Sequence, residues 1–275
     1  MEEKGKLYLV ATPIGNLDDI TYRAIKVLQS VDIVAAEDTR QTLKLLNYIG
    51  ITKKLISYHR HNEDVKKDEL LKYLNEGKSV AVVTDAGTPA ISDPGEEVVK
   101  AAIDEGIDII PIPGACALIN ALIASGLDTK EFSFYAFLPT NKKLRKNKIN
   151  EIREDGKTAI IYEAPHRIKE TLEELYKELG DRKVVVAKEL TKIHESFYRG
   201  NLSNINDLIG EAKGEYIIIL EGIKIEEEND LLKLSLEDHF KFYENQGFEK
   251  KDIIKKIAKD REVSKNEIYQ YFINK

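Results

Sequence analysis

Three residue types are scarce or missing in this chain of 275 residues, which has one cysteine, one methionine and no tryptophan. A single cysteine cannot form an intramolecular disulfide. This excludes a disulfide-stabilised secreted scaffold and indicates a reducing compartment, so we expect a cytoplasmic protein. The apolar run near the N-terminus is too short for a signal peptide. No run of about 18 apolar residues is present to predict a transmembrane helix.

An excess of positive charge is missing as well, because the formal net charge is −6 at pH 7. This argues against a protein that coats nucleic acid over its whole surface, while leaving room for a local basic patch that contacts RNA. Hydrophobic residues make up 42% of the chain, which is enough for a substantial core. At this length we expect one large domain or two of ordinary size.

Short apolar segments alternate with amphipathic segments through the first half of the chain. The predicted strands are 6–12, 33–36, 55–58, 80–84 and 107–110, and the predicted helices are 21–30, 39–49, 64–76, 96–105 and 115–125. This alternation predicts an α/β fold with a mostly parallel sheet and helices on both faces. We assign this domain to residues 1–138, with a strand at 132–137 near its end.

The remainder of the chain predicts a second α/β domain and a helical tail. The basic segment "LPTNKKLRKNK" marks the domain junction, and the second domain covers residues 139–224. The acidic segment "KIEEEND" is predicted to be a solvated linker. Residues 232–275 form the tail, whose end has the outline of a helix-turn-helix.

Segments rich in Gly, Pro or acidic residues follow four of the five predicted strands of the first domain. They are "TPIGNLDD", "EDTR", "DAGTPAISDPG" and "PIPGA". Ligands of open parallel sheets bind beyond the carboxyl ends of the strands. Glycine permits close backbone approach to a ligand, and proline holds a loop in place. Each segment alone reads as an ordinary turn, but together they predict a binding site.

Several common sites are absent from the sequence. The dinucleotide fingerprint G-x-G-x-x-G is missing, and so is the G-x-S-x-G turn of serine hydrolases. Asn75 to Ser79 ends like a phosphate-binding loop but lacks the earlier glycine and precedes its strand. His59 and His61 have no third ligand nearby, so no metal site is predicted.

Seven segments, in chain order, resemble the ribosomal RNA small subunit methyltransferase I family of the tetrapyrrole methylase superfamily. They are "ATPIGNLDDITYRA", "AEDTR", "DAGTPAISDPG", "PIPGACA", "FLPTNKKLR", "YEAPHR" and "KELTK". The resemblance covers residues 5–222, and the tail is similar to that of many members. It implies a homodimer of two α/β domains with S-adenosylmethionine in the cleft between them. It also implies 2′-O-methylation of a cytidine in the decoding region of 16S rRNA, in the small ribosomal subunit.

The resemblance also implies a set of cofactor contacts on the loops of both domains. They are Pro13, Gly15, Asn16, Asp85, Ala86, Gly87, Thr88, Ile91, Pro113, Gly114, Ala117, Leu138, Tyr162, Gly214 and Glu215. Asp85 has a second interpretation, in which its carboxylate only caps the loop.

Because a ribose hydroxyl is a weak acid, a general base or a polarising cation would assist the transfer. The candidates are Glu37, Asp38, Arg40, Lys188 and Glu189. Asp38 is equally suited to cap a helix. Candidate RNA contacts are Lys142, Lys143, Arg145, Lys146, Lys148 and Arg167, unless the basic segment is only a solvated hinge.

Two other functions stay open at this point. One is a methylase of the same superfamily that acts on a tetrapyrrole or a modified protein. The other is a non-catalytic RNA-binding factor of ribosome assembly. The basic segment favours an anionic polymer over a macrocycle, and the intact Gly and Pro loops favour an enzyme. A measurable affinity for the methyl donor would separate an enzyme from a binding factor.

Overall fold

A computed structural model describes residues 3–223, 230–261 and 263–273 of the chain. The chain divides into two compact units, residues 1–223 and residues 224–275. The first unit contains two five-stranded sheets. None of the helices in these described ranges is long and apolar enough to cross a membrane.

The first sheet is entirely parallel, with the order β3-β2-β4-β1-β5. Its strands are β1 (Leu7–Val10), β2 (Ile33–Ala36), β3 (Lys54–Ser57), β4 (Val80–Val83) and β5 (Ile109–Ile112). The helices between and after them are α1 (Tyr22–Ser30), α2 (Thr39–Tyr48), α3 (Glu63–Asn75), α4 (Glu96–Asp104) and α5 (Ala117–Ile123).

Apolar clusters cover both faces of this sheet, as the alternating pattern predicts. Leu70 of α3 and Val98 of α4 pack on one face, and Leu28 of α1 and Leu46 of α2 pack on the other. All ten predicted elements are present. The largest shift is in β5, which was predicted at 107–110. The Ile107 amide instead donates to the Ala102 carbonyl, 2.9 Å away, and completes the end of α4.

The second sheet is mixed, with the order β6-β7-β10-β8-β9. Its strands are β6 (Phe132–Phe137), β7 (Thr158–Glu163), β8 (Lys183–Lys188), β9 (Ser196–Asn201) and β10 (Tyr216–Leu220). Only β6 and β7 pair in parallel. Three helices accompany it, namely α6 (Lys142–Asp155), α7 (Ile168–Leu179) and α8 (Ile205–Leu208). They pack on one face, while α5 packs on the other.

Two boundary predictions differ from this arrangement. The segment 132–137 was assigned to the first domain, but it hydrogen-bonds to β7, so the chain changes sheets before Phe132 rather than after residue 138. The basic segment was assigned to a junction, but it forms α6, with Asn141 as its N-cap. Its buried positions Arg145, Ile149 and Ile152 follow helical spacing. Periodicity fails to reveal the helix because an arginine occupies the first of them.

The tail, residues 224–275, contains helices α9 (Asp230–Lys233), α10 (Leu236–Glu244), α11 (Lys250–Asp260) and α12 (Lys265–Ile273). Tyr243, Ile253, Ile257 and Ile268 form its core. Helices α11 and α12 follow each other closely in the chain, in agreement with the predicted helix-turn-helix outline, and residue 262 between them lies outside the described residues. The predicted linker "KIEEEND" and residues 274–275 lie outside the described residues, except for Asp230.

Candidate active site

The loops that follow β1 and β4 are tied together at the carboxyl edge of the first sheet. Thr12 and Gly87 exchange two backbone hydrogen bonds, of 2.8 Å and 3.0 Å. The Thr12 hydroxyl donates to the Thr84 carbonyl at 3.1 Å. Farther along, the Thr88 hydroxyl donates to the Ala115 carbonyl, also at 3.1 Å, which connects the β4 loop to the start of α5.

A cavity of about 420 Å³ lies where these loops face the second sheet. The first half of the chain contributes the β4 loop, Ile14 and the start of α5. The second half contributes residues from the ends of β6, β7, β8 and β10. These are Phe137, Tyr162, Glu163, Ala164, Pro165, Ala187, Leu190, Glu215, Tyr216 and Ile217. The volume and the mostly apolar lining fit a ligand of cofactor size.

The backbone of the β4 loop adopts conformations that side chains usually avoid. Gly87 has φ of 94°, and a Cβ there would lie 3.3 Å from Ile14 Cγ2. Ala90 and Ser92 are left-handed although they are not glycines, with φ of 66° and 63°. Such strain persists where the surrounding structure holds it, often at binding sites. The Arg60 guanidinium holds this loop by donating to the Ser92 carbonyl.

Ser92 lines the cavity and carries a buried hydroxyl oxygen with no hydrogen-bond partner among the described residues. A buried hydroxyl without a partner costs free energy, which a ligand can recover. Tyr162 forms part of the opposite wall, where its ring meets Phe137 edge-on with centroids 5.7 Å apart. The register of β6 shifts just before Phe137, and such an irregularity re-aims a side chain.

Seven of the cofactor contacts implied by the resemblance line this cavity, namely Ala86, Gly87, Thr88, Ile91, Ala117, Tyr162 and Glu215. Eight others do not, namely Pro13, Gly15, Asn16, Asp85, Pro113, Gly114, Leu138 and Gly214. Asn16 caps a short 3₁₀ turn. Leu138 is buried in the core of the second sheet, so its side chain faces away from the cavity.

Two of these glycines allow close packing behind the cavity wall. A Cβ on Gly114 would lie 2.9 Å from the Ala11 Cβ, and a Cβ on Gly214 would lie 2.5 Å from the Glu189 side chain. The Asp85 carboxylate accepts a hydrogen bond of 2.9 Å from the Asp38 amide. This contact agrees with the loop-capping interpretation of Asp85.

Acidic side chains gather beside the cavity at the ends of β2 and β4. Glu37 accepts a hydrogen bond from the Thr84 hydroxyl at 2.7 Å. Asp93 lines the cavity itself. Burial, followed by the charge of Glu37, raises the pKa of Asp93 to about 6. Burial also raises the pKa of Asp85, with Glu37 and Asp38 adding to the effect.

Asp38 and Arg40 occupy the first turn of α2, away from the cavity lining. The Asp38 carboxylate accepts from the Arg40 amide at 2.8 Å and caps the helix, as its second interpretation predicts. It also pairs with the Arg40 guanidinium at 2.8 Å. That hydrogen-bonded pairing lowers the pKa of Asp38 to about 2. Neither side chain is placed to take a proton inside the cavity.

Lys188 and Glu189 begin the loop after β8. The Lys188 ammonium lies 5.8 Å above the centre of the Tyr216 ring. Glu189 accepts hydrogen bonds of 2.9 Å from the Lys192 ammonium and from the Glu215 amide. Burial works to raise the pKa of Glu189, but these hydrogen bonds outweigh it and lower the pKa. Glu189 therefore holds the loops of β8 and β10 together.

The structure corrects one candidate RNA contact, Arg145, and gives a second candidate, Arg167, a partner within the protein. Arg145 is buried, and its guanidinium donates to Glu174 and, at 2.7 Å, to the Thr171 hydroxyl, so it is not available to an RNA phosphate. Arg167 donates to the Leu138 carbonyl at 2.9 Å. Lys142, Lys143 and Lys146 remain exposed on α6. Lys148 is half-buried and paired with Glu151.

Sequence reasoning missed Asp93, Ser92, Phe137, Pro165 and Tyr216 as cavity residues. Asp93 and Ser92 belong to the segment "DAGTPAISDPG", so the signal was present but did not separate lining residues from turn residues. Phe137 and Pro165 lie inside the segments "FLPTNKKLR" and "YEAPHR", whose residue pattern does not show which side chains face a cavity. For Tyr216, the sequence predicts only that it is the first residue of a strand.

The sequence matches the family of tetrapyrrole (corrin/porphyrin) methylases over residues 6–206. It is 50% identical to the ribosomal RNA small subunit methyltransferase I of Halalkalibacterium halodurans, over 98% of this chain and 96% of that protein. It is 45% identical to the protein of the same name from Bacillus subtilis, over 98% of this chain and 94% of that protein.

Solved structures with the same fold are more distant in sequence. A diphthine synthase superposes with a TM-score of 0.64 at 16% identity, covering 79% of this chain and 90% of that one. A uroporphyrin-III C-methyltransferase from Thermus thermophilus, complexed with S-adenosyl homocysteine, superposes with a TM-score of 0.55 at 18% identity. It covers 79% of this chain and 97% of that one. At these identities the superpositions establish the fold alone.

Proposed function

The chain belongs to the ribosomal RNA small subunit methyltransferase I family of the tetrapyrrole methylases, and we propose that it methylates the ribose 2′-oxygen of a cytidine in the decoding region of 16S rRNA. Its methyl donor is S-adenosylmethionine. The names of its relatives support the choice of small-subunit rRNA as the acceptor. The choice of a cytidine 2′-oxygen rests on the resemblance of the seven segments.

The observation that carries the proposal is the cavity between the loops of the first sheet and the second sheet. Its walls fit the donor, because Ile14, Leu190 and Ile217 offer apolar surface to an adenine ring. Ser92 and Thr88 contribute hydroxyl groups, and Gly87 leaves its backbone open to close approach. When bound, S-adenosylmethionine supplies an electrophilic methyl group attached to a positively charged sulfur.

Asp93 is the general base of this proposal. It is the cavity carboxylate whose pKa is raised to about 6, so at neutral pH it is ionised and close to the ideal pKa for a base. Its carboxylate accepts the proton of the attacking ribose hydroxyl. The other two carboxylates of the cavity lining are paired with cations, because Glu215 lies 3.1 Å from the Lys192 ammonium and Glu163 lies 3.4 Å from the Arg167 guanidinium.

The other candidate catalytic residues act by positioning. Glu37 anchors Thr84 at the end of β4, and its negative charge helps to raise the pKa of Asp93. Asp38 and Arg40 order the start of α2. Glu189 joins the loops after β8 and β10, which form the far wall. Correct placement and orientation of the reacting groups accounts for a large part of the catalysis of a displacement at carbon.

The test is methyl transfer from radiolabelled S-adenosylmethionine to small ribosomal subunits prepared from cells that lack this protein. Nuclease digestion then identifies the labelled nucleotide. Label on a cytidine 2′-oxygen supports the proposal. Label on another nucleotide, or on a base, contradicts the cytidine assignment but keeps the enzyme class. Donor binding without any labelled RNA contradicts the RNA acceptor.

The proposal includes a homodimer acting in the cytoplasm, which the family resemblance implies. Light scattering of the purified full chain gives the mass directly. A mass of twice 31.2 kDa at micromolar concentration is expected, and a mass of 31.2 kDa contradicts the dimer.

A further inference from the structure

The helical tail carries a second concave surface, which is positively charged. A groove of about 820 Å³ lies between α11 and α12. Four lysines and one carboxylate line it, together with Ile254, Asn266 and Tyr269; the charged residues are Lys250, Lys251, Asp252 and Lys255 on α11 and Lys265 on α12. We refer to the four lysines and Tyr269 as the basic groove. Its charge is opposite to the net charge of −6 on the whole chain.

The four lysines of the basic groove are available to a ligand. All four are exposed, and within the described parts of the tail none forms an ion pair or hydrogen bond with another side chain. Lys256 behaves differently, because its ammonium lies 4.3 Å above the Phe248 ring and 5.2 Å above the Tyr243 ring. The tail therefore separates a lysine that stabilises its core from four lysines that face solvent.

The spacing of these residues places charge and an aromatic ring on one surface. Lys251 and Lys255 are four residues apart on α11, and Lys265 and Tyr269 are four residues apart on α12, so each pair shares a helix face. The Tyr269 side chain is 52% exposed. An exposed ring beside lysines suits a polymer that carries both phosphates and stackable bases. A purely acidic protein segment would pair with the lysines but has no planar group to stack on the ring.

We propose that the basic groove binds the backbone of single-stranded RNA, with an unstacked base on Tyr269. This deepens the proposed function, on which it rests for the choice of RNA as the acceptor. The groove adds affinity for rRNA that does not depend on the methyl-donor cavity. Phosphate contacts of this kind release counterions, so they weaken as salt concentration rises.

The test uses the full chain with Lys250, Lys251, Lys255 and Lys265 all changed to Gln. The matched control changes four exposed lysines on helices of the first unit, Lys26, Lys72, Lys169 and Lys177, to Gln, which alters the net charge equally. Dissociation constants for a labelled single-stranded RNA and for naked 16S rRNA are measured at several salt concentrations. Binding of S-adenosylhomocysteine checks that each variant is folded.

The tail variant is expected to bind both RNAs at least tenfold more weakly at low salt. The slope of log affinity against log salt is expected to fall by about 3, at roughly 0.7 per lost phosphate contact. A slope equal to that of the control overturns the proposal. Tyr269→Leu is expected to weaken binding of the single-stranded RNA by about fivefold or more, without changing the salt slope. Unchanged RNA affinity in Tyr269→Leu, with loss of polyglutamate binding in the lysine variant, overturns it in favour of an acidic protein.

These outcomes are separate from those of the methyl-transfer assay. If no RNA is methylated although the groove binds RNA as expected, the proposed function fails and the groove remains. If methylation of 16S rRNA proceeds and the salt slope is unchanged, the groove fails and the proposed function remains.

Discussion

Gly15 of the first half of the chain lies directly against Lys192 of the second half. A Cβ at position 15 would be 2.6 Å from Lys192 Cγ and 2.8 Å from the Thr191 hydroxyl oxygen. Lys192 in turn bridges Glu189 and Glu215, at 2.9 Å and 3.1 Å. The loop after β1 therefore touches the loops that form the far wall of the cavity.

Gly15→Val is expected to push these loops apart. Overpacking of this kind costs about 1–3 kcal/mol of the free energy of unfolding, and we expect weaker donor binding as well. Gly210→Val is the control, since a Cβ there meets nothing within 4 Å. Calorimetric titration with S-adenosylhomocysteine and thermal melts measure both effects. Equal behaviour of the two variants would contradict this role for Gly15.

Gly87→Ala is expected to reduce donor affinity by about tenfold, because a side chain at φ of 94° strains the cavity wall next to Ile14. Gly106→Ala provides the comparison. It is also left-handed, at φ of 66°, but has open space around it and lies away from the cavity. Both variants lose stability, and only Gly87→Ala is expected to lose donor affinity in the titration. If donor affinity survives in Gly87→Ala, the cavity is misassigned.

The activity of the enzyme is expected to rise with pH through about 6, where the Asp93 carboxyl ionises. Asp93→Asn is expected to remove this limb of the pH profile and to lower the rate by about 10²- to 10⁴-fold. Single-turnover methyl transfer between pH 5 and 8 measures both. Asp68→Asn, an exposed change on α3, serves as the control. A retained limb in Asp93→Asn would assign the base to another group.

Asp93→Asn is expected to be more stable than the unsubstituted protein at neutral pH. The pKa of Asp93 is raised from 3.8 when the chain folds, so the folded state holds its proton to a higher pH than the unfolded state. The free energy of unfolding therefore falls between about pH 4 and 6, and this loss is complete above pH 6. Melting temperatures at pH 4 and pH 7.5 should show a gain from Asp93→Asn only at the higher pH.

Arg145→Met is expected to destabilise the protein by about 3 kcal/mol, because it leaves the buried Glu163 carboxylate with one cation fewer. The adjacent change Lys146→Met removes the same charge from an exposed position and is expected to cost less than about 0.5 kcal/mol. Urea denaturation measures both values. Similar costs would mean that Arg145 is not a structural cation.

Lys142, Lys143 and Lys146 are the residues of α6 that remain as candidate RNA contacts. Changing all three to Gln is expected to lower the salt slope of RNA binding by about 2, with unchanged melting temperature. The control is the change of Lys26, Lys72 and Lys169 to Gln. An unaltered slope would mean that these three lysines are solvated and do not contact RNA.

The local sequence pattern predicted most helices and strands well. It failed where a residue's environment depends on an element that comes later in the chain. The strand 132–137 was predicted with its observed bounds, but its sheet was not, because alternation says nothing about which strand lies alongside. Helix α6 was hidden because Arg145 occupies a core position, and its burial depends on Glu163 and Glu174, which come later in the chain.

The site was predicted at the level of loops and less well at the level of side chains. Glycine and proline at the strand ends indicated where the cavity lies. The difference between Asp38, with a pKa near 2, and Asp93, with a pKa near 6, comes from Arg40 beside one and burial around the other. Neither the pairing of Asp38 nor the burial of Asp93 can be predicted from the spacing of residues in the sequence.

The cavity has walls from both sheets, so under the proposed function donor binding requires that both sheets have formed. A chain in which only the first sheet has formed presents the β4 loop without Tyr162, Ala187 or Ile217 opposite it. Under the proposed function, such a partly folded chain has no enclosed space for the donor. The division of the cavity between two halves of the chain therefore leads us to expect methyl transfer only from molecules in which both sheets have formed.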